Sequence, residues 1–268
     1  MIRAALLCLA LIPVAAPAQD AVALRARHVE LKARLANNAF GRPVHVESSI
    51  NGGAHKGEIF AVIEKPYGVV APALSRATNW CDILTLQVNV KRCKASENAL
   101  SASITRKARD TADNSHQVDF RFGLAKSSPD YLHVELSAPT GPVGTRDYRI
   151  VLEAAPLDGK RTFIHLSYAY TLGTMARLAM DAYLAGAGRD KRGFSVEGGD
   201  PRGVVERSAM RYYLATEAYL ESPQNLDARL RHWYTATARY PQLRESVSAD
   251  EYVEMKRREA LSAARAPA

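Results

Sequence analysis

GTRDYRIVLEAAPLDGKRTFIHLSYAYTLGTMARLAMDAYLAGAG, residues Gly144 to Gly188, decides the fold. Tyr148, Ile150 and Leu152 alternate with Asp147, Arg149 and Glu153. After a turn at Pro156 to Gly159, Ile164, Leu166, Tyr168 and Tyr170 alternate with Phe163, His165 and Ser167. Alternation with period two puts one set of side chains on a core and the other in water, as in an antiparallel sheet. The helical spacing of Met175, Leu178, Ala179 and Ala182 then predicts a helix over Thr174 to Ala187 that covers the buried face.

Working outward, the same alternation recurs upstream. Val118, Phe120, Phe122 and Leu124 share one face, as do Leu132, Val134 and Leu136. Further strands are expected at Val44 to Ser49, Gly57 to Lys65, Val88 to Cys93 and Leu100 to Lys107, with turns at Asn51-Gly52-Gly53 and Ser127 to Asp130. On Gly57 to Lys65, Glu58 and Glu64 mark the wetter face. Pro66 opens a short helix through Leu74, and Trp80, Ile83 and Leu84 suggest a second. At the front, Asp20 caps a helix whose stripe is Val22, Ala26, Val29, Ala33, Ala36 and Phe40. Downstream of the glycine-rich Gly193 to Gly203, Val205, Ala209, Tyr212, Thr216 and Tyr219 form one helical face. Leu226, Leu230, Trp233, Thr237 and Tyr240 form another, and Ser248 with Glu251 starts a last helix. The class is α+β.

Residues 1–18 read as a signal peptide: Arg3, an apolar run from Ala4 to Ala16, and Ala16-Pro17-Ala18, with cleavage after Ala18. The run is short for a bilayer span. The expected location is therefore secreted or periplasmic. The formal charge of +8 favours anionic partners, while export argues against nucleic acid. Past the signal, two cysteines remain, Cys81 and Cys93, read either as one disulfide or as two buried thiols. A bridge requires the chain to double back, because if Leu84 to Val90 were all strand Cys93 would lie about 30 Å from Leu84, at about 3.3 Å per residue.

The order of elements resembles the helix-grip fold of the START-like or SRPBCC superfamily. The residues carrying it are GEIFAVIEKPYGVVAPALSRATNW (Gly57 to Trp80), the Arg146-Asp147-Tyr148 strand, its Phe163 to Tyr170 partner and the helix after Gly173. On this reading residues 19–42 are an N-terminal helix, 43–190 the helix-grip domain and 191–268 a helical extension. The resemblance implies an apolar small molecule or lipid held between the sheet and the long helix. Its contacts would come from Phe120, Phe122, Leu132, Val134, Tyr148, Ile150, Leu166, Tyr168 and Tyr170, with Met175, Leu178, Ala179, Ala182 and Tyr183 on the helix.

Chemistry has few footholds. The seven histidines show no HxxxH or HExxH spacing, and no metal or cofactor is expected. There is no GxSxG elbow or phosphate-cradling loop. Tyr168, Tyr170 and Tyr183 pair an apolar ring with a hydroxyl and so suit ligand contact. Arg146 and Arg149 suit an anionic head group. Lys256-Arg257-Arg258 reads as a solvated helix face, with an anionic membrane surface as its other partner. The expected function is binding without catalysis. Its rivals are a cyclase- or hydrolase-like enzyme using Tyr168, Tyr170 and His165, and an envelope protein with a closed interior whose aromatic helices form an interface.

Overall fold

The computed structural model describes residues 21–265; residues 1–18, read as a signal peptide, and Asp20, read as a helix cap, lie outside them. Eight antiparallel strands form one sheet: β1 (Val44–Asn51), β2 (Ala54–Ile63), β3 (Val90–Ala95), β4 (Ala99–Ile104), β5 (His116–Ser128), β6 (Tyr131–Thr140), β7 (Thr145–Pro156) and β8 (Thr162–Leu172). Their order is β1-β2-β8-β7-β6-β5-β4-β3. The last strand therefore returns beside the second, and the chain between them is a meander. Helices α1 (Ala21–Ala36), α2 (Tyr67–Leu74), α3 (Ala77–Leu84), α4 (Thr174–Ala185), α5 (Arg202–Glu221), α6 (Leu226–Ala238) and α7 (Ala249–Arg265) complete the α+β architecture.

The helix that grips the inner face is α5 and not α4. Met175 is 76% and Leu178 59% exposed, and Ala179 and Ala182 are exposed as well. The expectation that α4 covers the sheet is thereby corrected. Val205, Ala209, Met210, Tyr213 and Leu214 of α5 are instead fully buried in one cluster with the inner sheet residues. Contact is closest at Gly57, where a Cβ would stand 2.5 Å from the Val205 carbonyl oxygen. Only a residue without a side chain lets the helix backbone sit this near the strand. The core thus runs past the expected boundary at residue 190, because the helix that seals it belongs to the C-terminal segment.

The outer face is not simply wet. α1 lies across it, and Leu24, Leu31 and Leu35 pack with Phe60, Val62, Tyr131 and Phe163 in a second core. The apolar stripe read from Val22 and Val29 faces solvent, at 74% and 70% exposure. Two stripes of similar period run along this helix, and the one carrying the larger leucines is buried because it removes more apolar area from water.

At the far end, Cys81 of α3 and Cys93 of β3 are joined in a disulfide with Cα atoms 5.3 Å apart. The chain turns back after Leu84, with Thr85 closing α3 through its hydroxyl on the Cys81 carbonyl at 2.8 Å. Trp80, fully buried, donates Nε1–H to the Leu74 carbonyl at 2.8 Å and plugs that end of the core.

Candidate ligand-binding groove

The inner face itself holds no space for a ligand over most of its length. Leu132, Val134, Leu136, Ile150, Leu152, Ile164 and Leu166 all have zero exposed area. A residue lining a void as large as a water molecule would expose surface to it, so these side chains meet protein on every side. The expected cavity between sheet and helix is packed shut here, which corrects the ligand-lining role expected of Leu132, Val134, Ile150 and Leu166. Phe120 and Phe122 are also core residues, at 3% and 6% exposure.

An opening of ligand size lies elsewhere, between strands β1 and β2 and α6. It is an open groove of about 1260 Å³, at or above the size of ordinary small-molecule sites. One wall is a single stripe of α6, in which Ala228, Arg231, His232, Thr235, Ala236 and Arg239 follow one another at helical spacing. The opposite wall is Pro43, His45 and Val46 of the edge strand region. Leu220, Ile63, Val46 and Ala236, each only 4–7% exposed, form an apolar floor.

One end of the groove is aromatic. Phe40 lies 5.6 Å from Phe194 and 6.0 Å from Tyr240, and Phe194 lies 5.6 Å from Tyr240, centroid to centroid. Behind them Arg42 donates to the Tyr213 hydroxyl at 2.6 Å and pairs with Glu217, which also accepts from Tyr213 at 2.7 Å. Burial pulls the Arg42 guanidinium down, but Tyr213 and Glu217 more than offset this and hold it charged. The lip carries both signs of charge, with Arg231 and Arg239 lining the same opening as Glu64 and Glu221. An apolar floor, an aromatic end and a charged lip suit an amphipathic molecule.

The tyrosines form a separate cluster. Tyr168 lies 5.9 Å from Tyr148, 5.7 Å from Tyr170 and 5.2 Å from Tyr212 of α5. Burial pushes the Tyr168, Tyr170 and Tyr212 hydroxyls up, with the neighbouring Tyr148 phenol acting in the same direction. They stay protonated at any physiological pH. Tyr183 is half-buried at the end of α4, with its ring against Gly188, where a Cβ would come within 2.4 Å of it.

His165 sits on the opposite face of β8 from Tyr168 and Tyr170, bonded to two carboxylates, so the structure does not bring that proposed trio together. Arg149 pairs with Glu135 at 3.2 Å. Lys256, read as part of a solvated face, is buried and donates to the Val90 carbonyl at 2.7 Å, while Arg257 pairs with Asp227 at 2.6 Å. Tyr213, Tyr219 and Trp233 point inward, leaving little aromatic surface on α5 and α6 for an interface.

Phe40 and Phe194 were the groove residues hardest to see in sequence. Phe40, expected at the end of the N-terminal helix's apolar stripe, lies past the end of α1 at Ala36, and Phe194 interrupts a glycine-rich linker. For Phe194, a large apolar residue outside any regular element was the available signal.

No family model and no curated protein sequence matches the chain. Among solved structures it is similar to a conserved protein from Geobacillus kaustophilus, at 11% identity and TM-score 0.38, covering 62% of this chain and 96% of that one. It is similar to a conserved protein of unknown function from Enterococcus faecalis, at 8% identity and TM-score 0.35, covering 81% and 91%. A third similarity is to norcoclaurine synthase from Thalictrum flavum, at 11% identity and TM-score 0.36, covering 52% and 86%. These values leave function to be read from the chain itself.

Proposed function

We propose that the protein is exported and holds a lipid or another apolar molecule in the groove between strands β1 and β2 and α6, without transforming it. The observation that carries this reading is the groove's apolar floor and aromatic end within a ligand-sized volume. Export rests on the signal-like residues 1–18 and is supported by the Cys81–Cys93 disulfide, since such bonds persist in oxidising compartments. An apolar tail would lie on Leu220, Val46 and Ala236, and a polar head would meet Arg231 or Arg239 at the lip.

The test is extraction of the purified protein with organic solvent, followed by mass spectrometry and by titration with a fluorescent fatty-acid probe. Thr235→Trp, an exposed change on the α6 wall, is expected to obstruct the groove and weaken probe uptake with the melting curve intact. Unchanged uptake in that variant, or no bound lipid and no probe affinity in the wild type, would sink the reading. The packed inner face favours a second reading, a structural protein with a closed interior, which predicts this negative result.

A further inference from the structure

Two clefts flank the middle of α5, on the side away from the groove's apolar floor. One, of about 600 Å³, is lined by Tyr183, Lys191, Arg207 and Arg244. The other, of about 530 Å³, is lined by Gln87, Arg106, Lys107 and Tyr168. Ser208 and Arg211 line both, so the two form one trough across a single face of the helix. Eight cationic side chains and two carboxylates line it.

Three features go beyond surface charge. Arg207 is only 7% exposed and, among the described residues, has no ion-pair partner; its Nη1 donates to the Lys191 and Arg192 carbonyls at 3.0 and 2.8 Å. Gln87 is 5% exposed, and its amide nitrogen has no hydrogen-bond partner. Buried polar groups are nearly always satisfied, so an unpaired donor beside an open cleft calls for an acceptor. Arg106, Lys107, Lys191 and Arg244 form no ion pair among the described residues, whereas Arg211 is taken by Glu245 at 2.9 Å and Arg109 by Glu251 at 2.7 Å. Burial, with the nearby Arg211, holds the Arg207 guanidinium below its ordinary value and outweighs Tyr183 and Glu206, which act the other way.

We propose that this trough binds a phosphate-type oxyanion, held by Arg207 and the unpaired Arg106, Lys107, Lys191 and Arg244, with the Gln87 amide donating to it. Guanidinium and ammonium donors converging on one space match the several acceptor oxygens of a phosphate. Tyr168 and Tyr183 line the two clefts, and their rings can pack whatever carries the phosphate. The site meets the groove at Pro241 and Gln242, which line both, but shares none of the groove's apolar floor.

The full chain is titrated with inorganic phosphate by calorimetry, and in parallel with vesicles of phosphatidic acid against vesicles of phosphatidylcholine. Binding of inorganic phosphate identifies a free oxyanion as a sufficient ligand. Binding of phosphatidic acid vesicles alone identifies a lipid head group. In either case Arg106→Ala/Lys107→Ala and Lys191→Ala/Arg244→Ala are each expected to weaken binding at least tenfold, and Gln87→Leu severalfold. Arg121→Ala/Arg265→Ala, which removes two exposed cations elsewhere, is expected to change it less than twofold. Thr235→Trp is expected to leave it unchanged, which separates this site from the groove. The proposal is overturned if neither probe binds, or if the Arg121/Arg265 control loses as much affinity as the trough variants.

Discussion

Nε2 of His165 stands 2.9 Å from a carboxylate oxygen of Glu58, across the β2–β8 pair. On its other side Nδ1 meets Glu153 at 2.7 Å, and the Phe60 ring stacks on the imidazole at 4.4 Å. α1 completes the cover, with Arg27 over Phe60. Burial alone would pull His165 down, but the hydrogen bonds and charges of Glu153 and Glu58 outweigh it and hold His165 above its ordinary 6.5. Burial likewise raises Glu58, yet His165 and Lys56 bring it from 4.5 to about 2.

A pH dependence follows from these directions. The Glu58 contribution is complete above about pH 4.5 and is lost as pH falls towards 2; the His165 contribution is complete below about pH 6.5 and is lost as pH rises through its raised folded value. His28 and His55 are held below 6.5 by burial and act in the opposite sense. The effect is therefore read as a difference: melting curves from pH 3 to 9 should show His165→Gln losing most stability relative to wild type between about pH 4.5 and 6.5. A deficit that does not vary with pH would contradict the assignment.

The identity of the gripping helix gives a second expectation. Met210→Ala on α5 should cost about 2–5 kcal/mol, because it opens a cavity in a fully buried site. Met175→Ala on α4 should fall within about 0.5 kcal/mol of wild type, because the side chain is in water. Urea denaturation of the two variants side by side measures both.

Gly57 offers a third. Adding a methyl group there places it 2.5 Å from the Val205 carbonyl oxygen, a backbone atom that cannot swing aside. Gly57→Ala should therefore destabilise by about 1–3 kcal/mol, or displace α5 enough to alter near-ultraviolet circular dichroism.

The disulfide gives a fourth. Its cysteines are 12 residues apart, and closing a loop of that length contributes about 3 kcal/mol on the chain-entropy model. Denaturation in the presence of a reductant, or of the Cys81→Ser/Cys93→Ser variant, should show a loss of that order. Alkylation of both thiols in unreduced protein would refute the bond itself.

The sheet was legible in sequence because period-two alternation is imposed on every strand with one face on a core. Val118 to Phe122, Leu132 to Leu136 and Ile150 to Leu152 lie as their alternation requires, whereas Leu124, expected on the same buried face, stands beside a bulge and is 44% exposed. The helix on that sheet was not, since α4 carries Met175 and Leu178 on a plausible stripe directly after β8, whereas α5 buries Glu206, Arg207 and Thr216 along with its apolar residues. Glu206 is made tolerable inside by Ser48, Ser195 and the Phe194 and Ser195 amides, none of which is near it in sequence. The groove was illegible for the same reason: its walls come from residues 39–64 and 194–242, and periodicity reports on one element at a time.

The place of α5 in the chain also governs when the molecule can close. Every strand is made before residue 173, but the helix that seals the inner face begins only at Arg202. A chain emerging from its N-terminus therefore carries an uncovered apolar sheet from the completion of β8 at Leu172 until α5 begins at Arg202. It completes its core only when the last quarter arrives, so a fragment ending at Gly188 should collapse or aggregate instead of folding.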